Sequence, residues 1–403
     1  MNLDIHFGDW TAYLVRWVHL ITGISWIGSS FYFMWLDAAL EKPAVPKPDV
    51  EGELWMVHSG GFYEVERKKI TAGNMPKTLH WFKYEALFTW ISGVCLLGIA
   101  YYGNPSAYMV DPAVANLTPV QAVGGSIVAL TLSWFIYDGL WQLVGKKQPG
   151  VATVVSLLLA AAFAFLFCHY LSGRAAFIHM GAMFGTWMVA NVWVRILPAQ
   201  QKMIDATREN RTPDYAHSGH AKRRSVHNTY MTFPVLFMML SNHYAMTYSG
   251  SRNWIMLILL ILFGASVRHI MVAKEGKGKW AVAPAILTLL GLVTLAADRG
   301  PSSSPGISGS TAAGPAVAFK DVHAIIQSRC VSCHAKDPVI KNFGPMPGGV
   351  SFETNERIQS LAPRIKFRAV VTKTMPLANM TQITEEERNT LGRWIEQGAK
   401  VDE

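Results

Sequence analysis

The sequence predicts an all-α protein: a polytopic bundle of eight transmembrane helices, then a small soluble helical domain. Three observations predict it: eight long apolar runs, a charge asymmetry between the loops joining them, and a composition shift near residue 299. Apolar types make up 51% of the 403 residues and charged types 16%, against a usual charged share of about 25%. That balance excludes a disordered chain, which needs few apolar residues and many charges. Four cysteines are too few for a disulfide scaffold.

A span needs about 20 mainly apolar residues. The runs lie at roughly 12–36, 84–103, 119–144, 151–172, 175–197, 229–248, 253–273 and 280–298. Pro119, Pro198 and the Lys146–Gly150 turn punctuate them. Most lack the polar stripe that a long soluble helix carries. The first run is expected to be retained rather than cleaved as a signal. Its first cation is Arg16 and Asp4 and Asp9 precede it, whereas a signal opens on a basic stretch.

Loops after odd-numbered runs hold the cations: Lys42, Lys47, Arg67, Lys68, Lys69 and Lys77; Lys146 and Lys147; Lys202 to Arg224; and Lys274, Lys277 and Lys279. The short loops after the second, fourth and sixth runs carry only Arg174 and Arg252. Cationic loops stay in the cytoplasm. The N-terminus is therefore expected outside, and after eight spans so is the tail. The net charge of +9 then reflects membrane topology. No phosphate-cradling glycine loop is present, and a nucleic-acid partner is not expected.

Residues 299–316 are mostly Gly, Pro and Ser, a linker composition. The expected units are a transmembrane domain at 1–298, this linker, and a soluble domain at 317–403. The tail holds Cys330-Val-Ser-Cys333-His334. Two thiols at this spacing can add to the two vinyl groups of one haem, and the next imidazole lies under the iron, so the motif reads as c-type haem attachment. A zinc site would need further ligands, and the tail offers only His323 besides His334. A redox dithiol would sit in a βαβ pattern, which is absent. The tail is thus expected to be a class I-like cytochrome c with one covalent haem. His334 is the proximal ligand and Met375 the expected distal one, with Met380 as the alternative. Pro376 biases Met375 toward an extended backbone, just before a helix opened by the capping box Thr384–Glu387. Haem c attachment takes place outside the cytoplasm, in agreement with the loop charges.

Polar groups inside spans are functional suspects. His19, His179 and His243 all fall in the outer half of the bilayer. A pair of them is a candidate axial set for a b-type haem. A second polar set lies near the cytoplasmic ends: Asp37, His80, Lys83, Glu85, Asp138, Asn191, His227 and His269. Gly181-x-x-x-Gly185 suggests close helix packing.

The stretch from Trp17 through His19 to Gly28 resembles the first helix of small membrane proteins that include copper-resistance and protoporphyrinogen-oxidizing families. Three further stretches resemble the membrane-bound bacterial urate oxidases (urate hydroxylases). They are His80-Trp-Phe-Lys83-Tyr-Glu85, His179 through Thr186 followed by Asn191-Val, and His227 through Pro234 followed by Ser241-Asn242-His243. Eight spans, a linker and a cytochrome c match that family's layout. The resemblance implies an inner-membrane enzyme oxidising urate to 5-hydroxyisourate; the alternative readings are a membrane oxidoreductase on a porphyrinogen or another purine, or a transporter with a tethered electron-transfer cytochrome. Electrons would leave through the haem c to a soluble cytochrome c or a terminal oxidase. Lys83, Glu85, Asp138 and Asn191 are of suitable type for a catalytic set on an electron-rich planar anion. The inner side is the expected binding side, since the polar set is richer there.

Overall fold

The structure, a computed structural model, describes residues 4–111, 114–213, 215–273, 278–297, 316–341, 346–347 and 350–401. The predicted linker, save Ala316, and Lys274 and Lys277 lie outside the described residues.

Six helical stretches among the described residues are long and apolar enough to cross a membrane: Tyr84–Tyr102, Pro119–Leu143, Pro149–Tyr170, Gly173–Arg208, Asn253–Val272 and Lys279–Ala297. The other two predicted spans are also helices but fall short in apolar character. One is α1 (Asp4–Ala39), which carries Arg16 and His19. The other is α8 (Tyr215–Leu240), which opens on a polar segment and contains Pro234. Both pack into the bundle, α1 on α2 (Tyr84–Leu97) and α8 on α6 (Gly173–Ala190) and α9 (Asn253–Val272).

Between α1 and α2 lies a feature the apolar pattern does not announce. Strands β1 (Val50–His58) and β2 (Gly61–Lys68) pair as an antiparallel hairpin. Ser59 and Gly60 turn it with φ of 49° and 77°, the left-handed geometry that two-residue hairpin turns require. Glu53, Glu64 and Glu66 gather there, but Lys47 Nζ sits among them at 2.5–3.1 Å. The lysine lowers the Glu66 pKa by its hydrogen bond and charge, so this cluster is an ion-pair knot.

After α3 (Pro105–Tyr108), helix α4 (Pro119–Leu143) starts on a Thr118–Gln121 capping box and α5 (Pro149–Tyr170) on Pro149. Pro198 does not end the fifth span as the sequence suggests. A wide π turn over Asn191–Ile196 offsets the hydrogen-bond ladder, and Pro198 falls in the first turn of α7 (Leu197–Arg208), where its missing N–H costs little. The sixth span ends at Leu240 and gives way to short turns, rather than running to 248. Helix α10 (Val282–Ala297) closes the bundle against α9. The expected Gly-x-x-x-Gly contact is half present. Gly181 meets Met238 and Met239 of α8, while Gly185 faces open space.

The tail folds around its own core of Phe319, Val322, Ile326, Ile358, Leu391 and Trp394. Its helices are α11 (Phe319–Arg329), α12 (Asn355–Ser360), α13 (Ala362–Ile365) and α14 (Glu385–Glu396). The Thr384–Glu387 capping box forms as expected.

Candidate functional site

Two regions bring chemistry-bearing residues together. The first is the predicted cytoplasmic pole of the bundle. Asp138, on α4 and 8% exposed, accepts Arg224 Nη2 at 2.6 Å and Arg195 Nε at 2.9 Å. Arg224 also reaches Asn191 Oδ1 at 3.3 Å and lies over the Tyr137 ring at 5.0 Å. Asn191 donates to Asn228 Oδ1 (2.8 Å) and Tyr137 Oη (3.2 Å), and Asn228 donates to the Met188 carbonyl (2.9 Å). His227 Nδ1 pairs with Tyr137 Oη at 2.7 Å, and Tyr137 stacks on Trp187. Four helical segments meet here, and the π turn opens at Asn191. Such turns recur at functional sites. One carboxylate is shared by two guanidiniums, so the network is net cationic.

Lys83 and Glu85 lie apart from that network, at the start of α2. Lys83 caps the helix, and its Nζ sits 5.7, 5.3 and 5.7 Å from the Trp81, Tyr84 and Trp193 ring centres. Glu85, in the first turn, has no ion-pair partner among the described residues. Trp193 comes from the π turn, and its indole N–H is buried without an acceptor. The pole thus offers a cation, a free carboxylate, a free N–H donor and aromatic faces. That set suits a planar anion.

The three predicted outer-half histidines do not gather. His19 Nδ1 engages the Thr89 carbonyl and Ser92 Oγ, both at 3.0 Å, and its ring covers Gly93. His179 is wholly buried among Tyr101, Tyr102 and Phe167, with Nδ1 on the Ala175 carbonyl (2.8 Å) and Nε2 unpartnered. His243 is exposed in a single 3-10 turn beyond α8, not on a span. His19 and His179 each hold Nδ1 on a backbone carbonyl, the arrangement that orients a ligating imidazole. The described contacts of the three share no neighbour.

The second region is the Cys330–His334 turn. Cys330 caps α11, and His334 N–H returns to the Cys330 carbonyl (2.9 Å), which folds the motif into one compact loop. Both cysteines are free thiols. His334 Nδ1 meets the Val350 carbonyl at 3.3 Å, which fixes the ring and leaves Nε2 available. This second contact is how proteins orient an imidazole that ligates a metal. Burial lowers the His334 pKa and so favours the neutral, ligating form. The donor set therefore fits a c-type haem. Met375 N–H is tied to the Arg368 carbonyl (3.0 Å), and its carbonyl accepts buried Arg388 (2.8 Å). Met380 is held only by a local turn to Leu377.

Burial raises the Cys330 pKa to about 12, and raises that of Cys333 as well. A raised thiol pKa favours the folded chain up to the ordinary thiol range, about 8.5, and that contribution is lost as pH climbs toward the folded value. In full-length chain made without haem attachment, Cys333 is expected to react with iodoacetamide first. Cys330 should lag until alkaline pH, read by peptide mass. Equal rates at neutral pH would contradict the burial difference.

Arg195, Arg224, Asn228, Tyr137, Trp193 and Arg268 are absent from the sequence-based candidates. Arg224 was readable only as a loop cation. Arg268, lying in an apolar run without an acid nearby, carried a signal that went unused.

Fold and site together define a helix-bundle protein with membrane-capable helices and a buried cationic polar centre. The chain belongs to the urate oxidase N-terminal family, whose model matches residues 5–297. The family points to an oxidoreductase acting on urate. No curated protein and no solved structure matches it.

Proposed function

We propose that the protein is a membrane-bound urate oxidase that passes electrons to a covalent haem c in its own tail. Its eight helices span the bacterial inner membrane, with the N-terminus and residues 317–403 in the periplasm. The carrying observation is His334 fixed by Val350 in a free-thiol C-x-x-C-H turn, on the same chain as the urate-oxidase bundle.

Urate binds at the cytoplasmic pole. Water adds its oxygen to C5 of urate as two electrons and two protons leave, which gives 5-hydroxyisourate. Lys83 and the Trp193 N–H hold the anion against Trp81 and Tyr84, and Glu85 takes a proton. Asp138 and Asn191 act through Arg224 and the π turn as positioning residues, since their polar atoms are already engaged. The haem supplies a one-electron acceptor, so each turnover delivers two electrons in sequence. Cys330, Cys333 and His334 would hold it, with Met375, or in its place Met380, as the further ligand. A soluble cytochrome c or a terminal oxidase receives the electrons.

Purified protein given urate and ferricyanide should consume two ferricyanides per urate and form no peroxide. Peroxide at one per urate would place oxygen, not the tail, as the acceptor.

A further inference from the structure

Three arginines are fully buried among the described residues: Arg224, Arg268 and Arg388. Arg224 pairs with Asp138, which it shares with Arg195. Arg388 donates to the Ala369 and Met375 carbonyls. Arg268, 2% exposed near the inner end of α9, has no oxygen acceptor among the described residues. Its Nη2 touches the Met34 sulfur, its plane lies 4.3 Å from the centre of the Phe31 ring, and its Nε is buried without a partner. Tyr230 Oη pairs with His269 Nδ1 at 2.7 Å and makes no hydrogen bond to the guanidinium. A guanidinium buried without a counter-charge is strongly unfavourable, and folded proteins keep such a group only where something else compensates it.

We propose that Arg268 is a further anion-binding residue of the urate site, in addition to Lys83 and Trp193, and receives a purine oxyanion at its free Nε–H. The inference rests on the urate reading above. Its position is consistent with that pole. On α1, Phe33 packs on Phe82 beside Lys83, while Phe31 and Met34 cover Arg268. Met34 also touches Thr229, next to Asn228 of the polar network. A guanidinium edge matches a delocalised planar anion, and an aromatic face fixes its plane.

The test uses full-length protein with its haem reduced beforehand, so that urate binds without turning over. Calorimetry reads affinity, and a thermal melt reads stability. Arg268→Gln is expected to weaken urate binding about 50-fold, the effect of losing a charged hydrogen bond. Arg268→Lys, which keeps charge but loses the fork, should weaken it about tenfold. Neutral hypoxanthine should bind both variants as it binds the parent. Ligand-free Arg268→Gln should melt no lower than the parent, since it removes an uncompensated charge, but should lose the rise in melting temperature that urate gives.

Urate affinity within about twofold of the parent in Arg268→Gln would overturn the proposal. So would collapse of both variants, which would make the guanidinium a structural strut. If the parent binds no urate, the functional reading falls too; if the parent binds and the variant binds equally, only the Arg268 assignment falls.

Discussion

Replacing Cys330 and Cys333 together by alanine is expected to abolish covalent haem and, with it, all urate-driven reduction. The two sulfurs are the only attachment atoms on a turn that Cys330, His334 and Val350 already fold into shape. The protein should still insert and bind urate, because the bundle core and the tail core are separate clusters. Denaturing gels stained for haem, with urate binding measured on the same preparation, check both halves. His334→Ala should keep some attached haem but lose its proximal ligand. Met375→Ala should lower the potential by removing the thioether, and Met380→Ala should not. Haem staining that survives the double cysteine substitution would end the attachment assignment.

The second large effect is at Asp138. Asp138→Ala leaves Arg195 and Arg224 facing each other with no carboxylate, and a broken buried pair costs about 3–5 kcal/mol. The expected result is loss of most folded protein from detergent, read by size exclusion and thermal unfolding. Asp138→Asn keeps the shape and some hydrogen bonds and should fall between. Adding Arg224→Met to Asp138→Ala should restore part of the loss, because the stranded charge goes with it. Purely additive effects would mean the groups are not coupled.

Much of the fold was legible because apolar length and helix-start chemistry are local. Pro149, Thr118–Gln121 and Thr384–Glu387 begin helices as their types require. The compact Cys330–His334 turn was legible for the same reason, since its residue types and spacing are local. The polar network was legible only in part: Asp138, Asn191 and His227 stand in the polar set near the inner ends, but the arginines do not. Asp138, Arg195 and Arg224 are brought together only by packing of α4, the π turn and α8. Pro198 misled because a π turn is invisible in the residue pattern, and it moves proline into a permitted position. The hairpin lies in a loop whose apolar content is low beside that of the spans, and its local signal is the Ser59-Gly60-Gly61 turn. His243 looked like a span residue because its neighbours are apolar, yet the helix ends three residues earlier.

The central claim is that oxidation of urate in the bundle reduces a haem bound to the tail. The most direct measurement is an anaerobic optical titration of the oxidised, purified protein with urate. The expected result is a sharpened α-band of c-type haem, complete at half an equivalent of urate per haem, and absent when hypoxanthine replaces urate. A protein that carries covalent haem yet stays oxidised in excess urate would contradict the account.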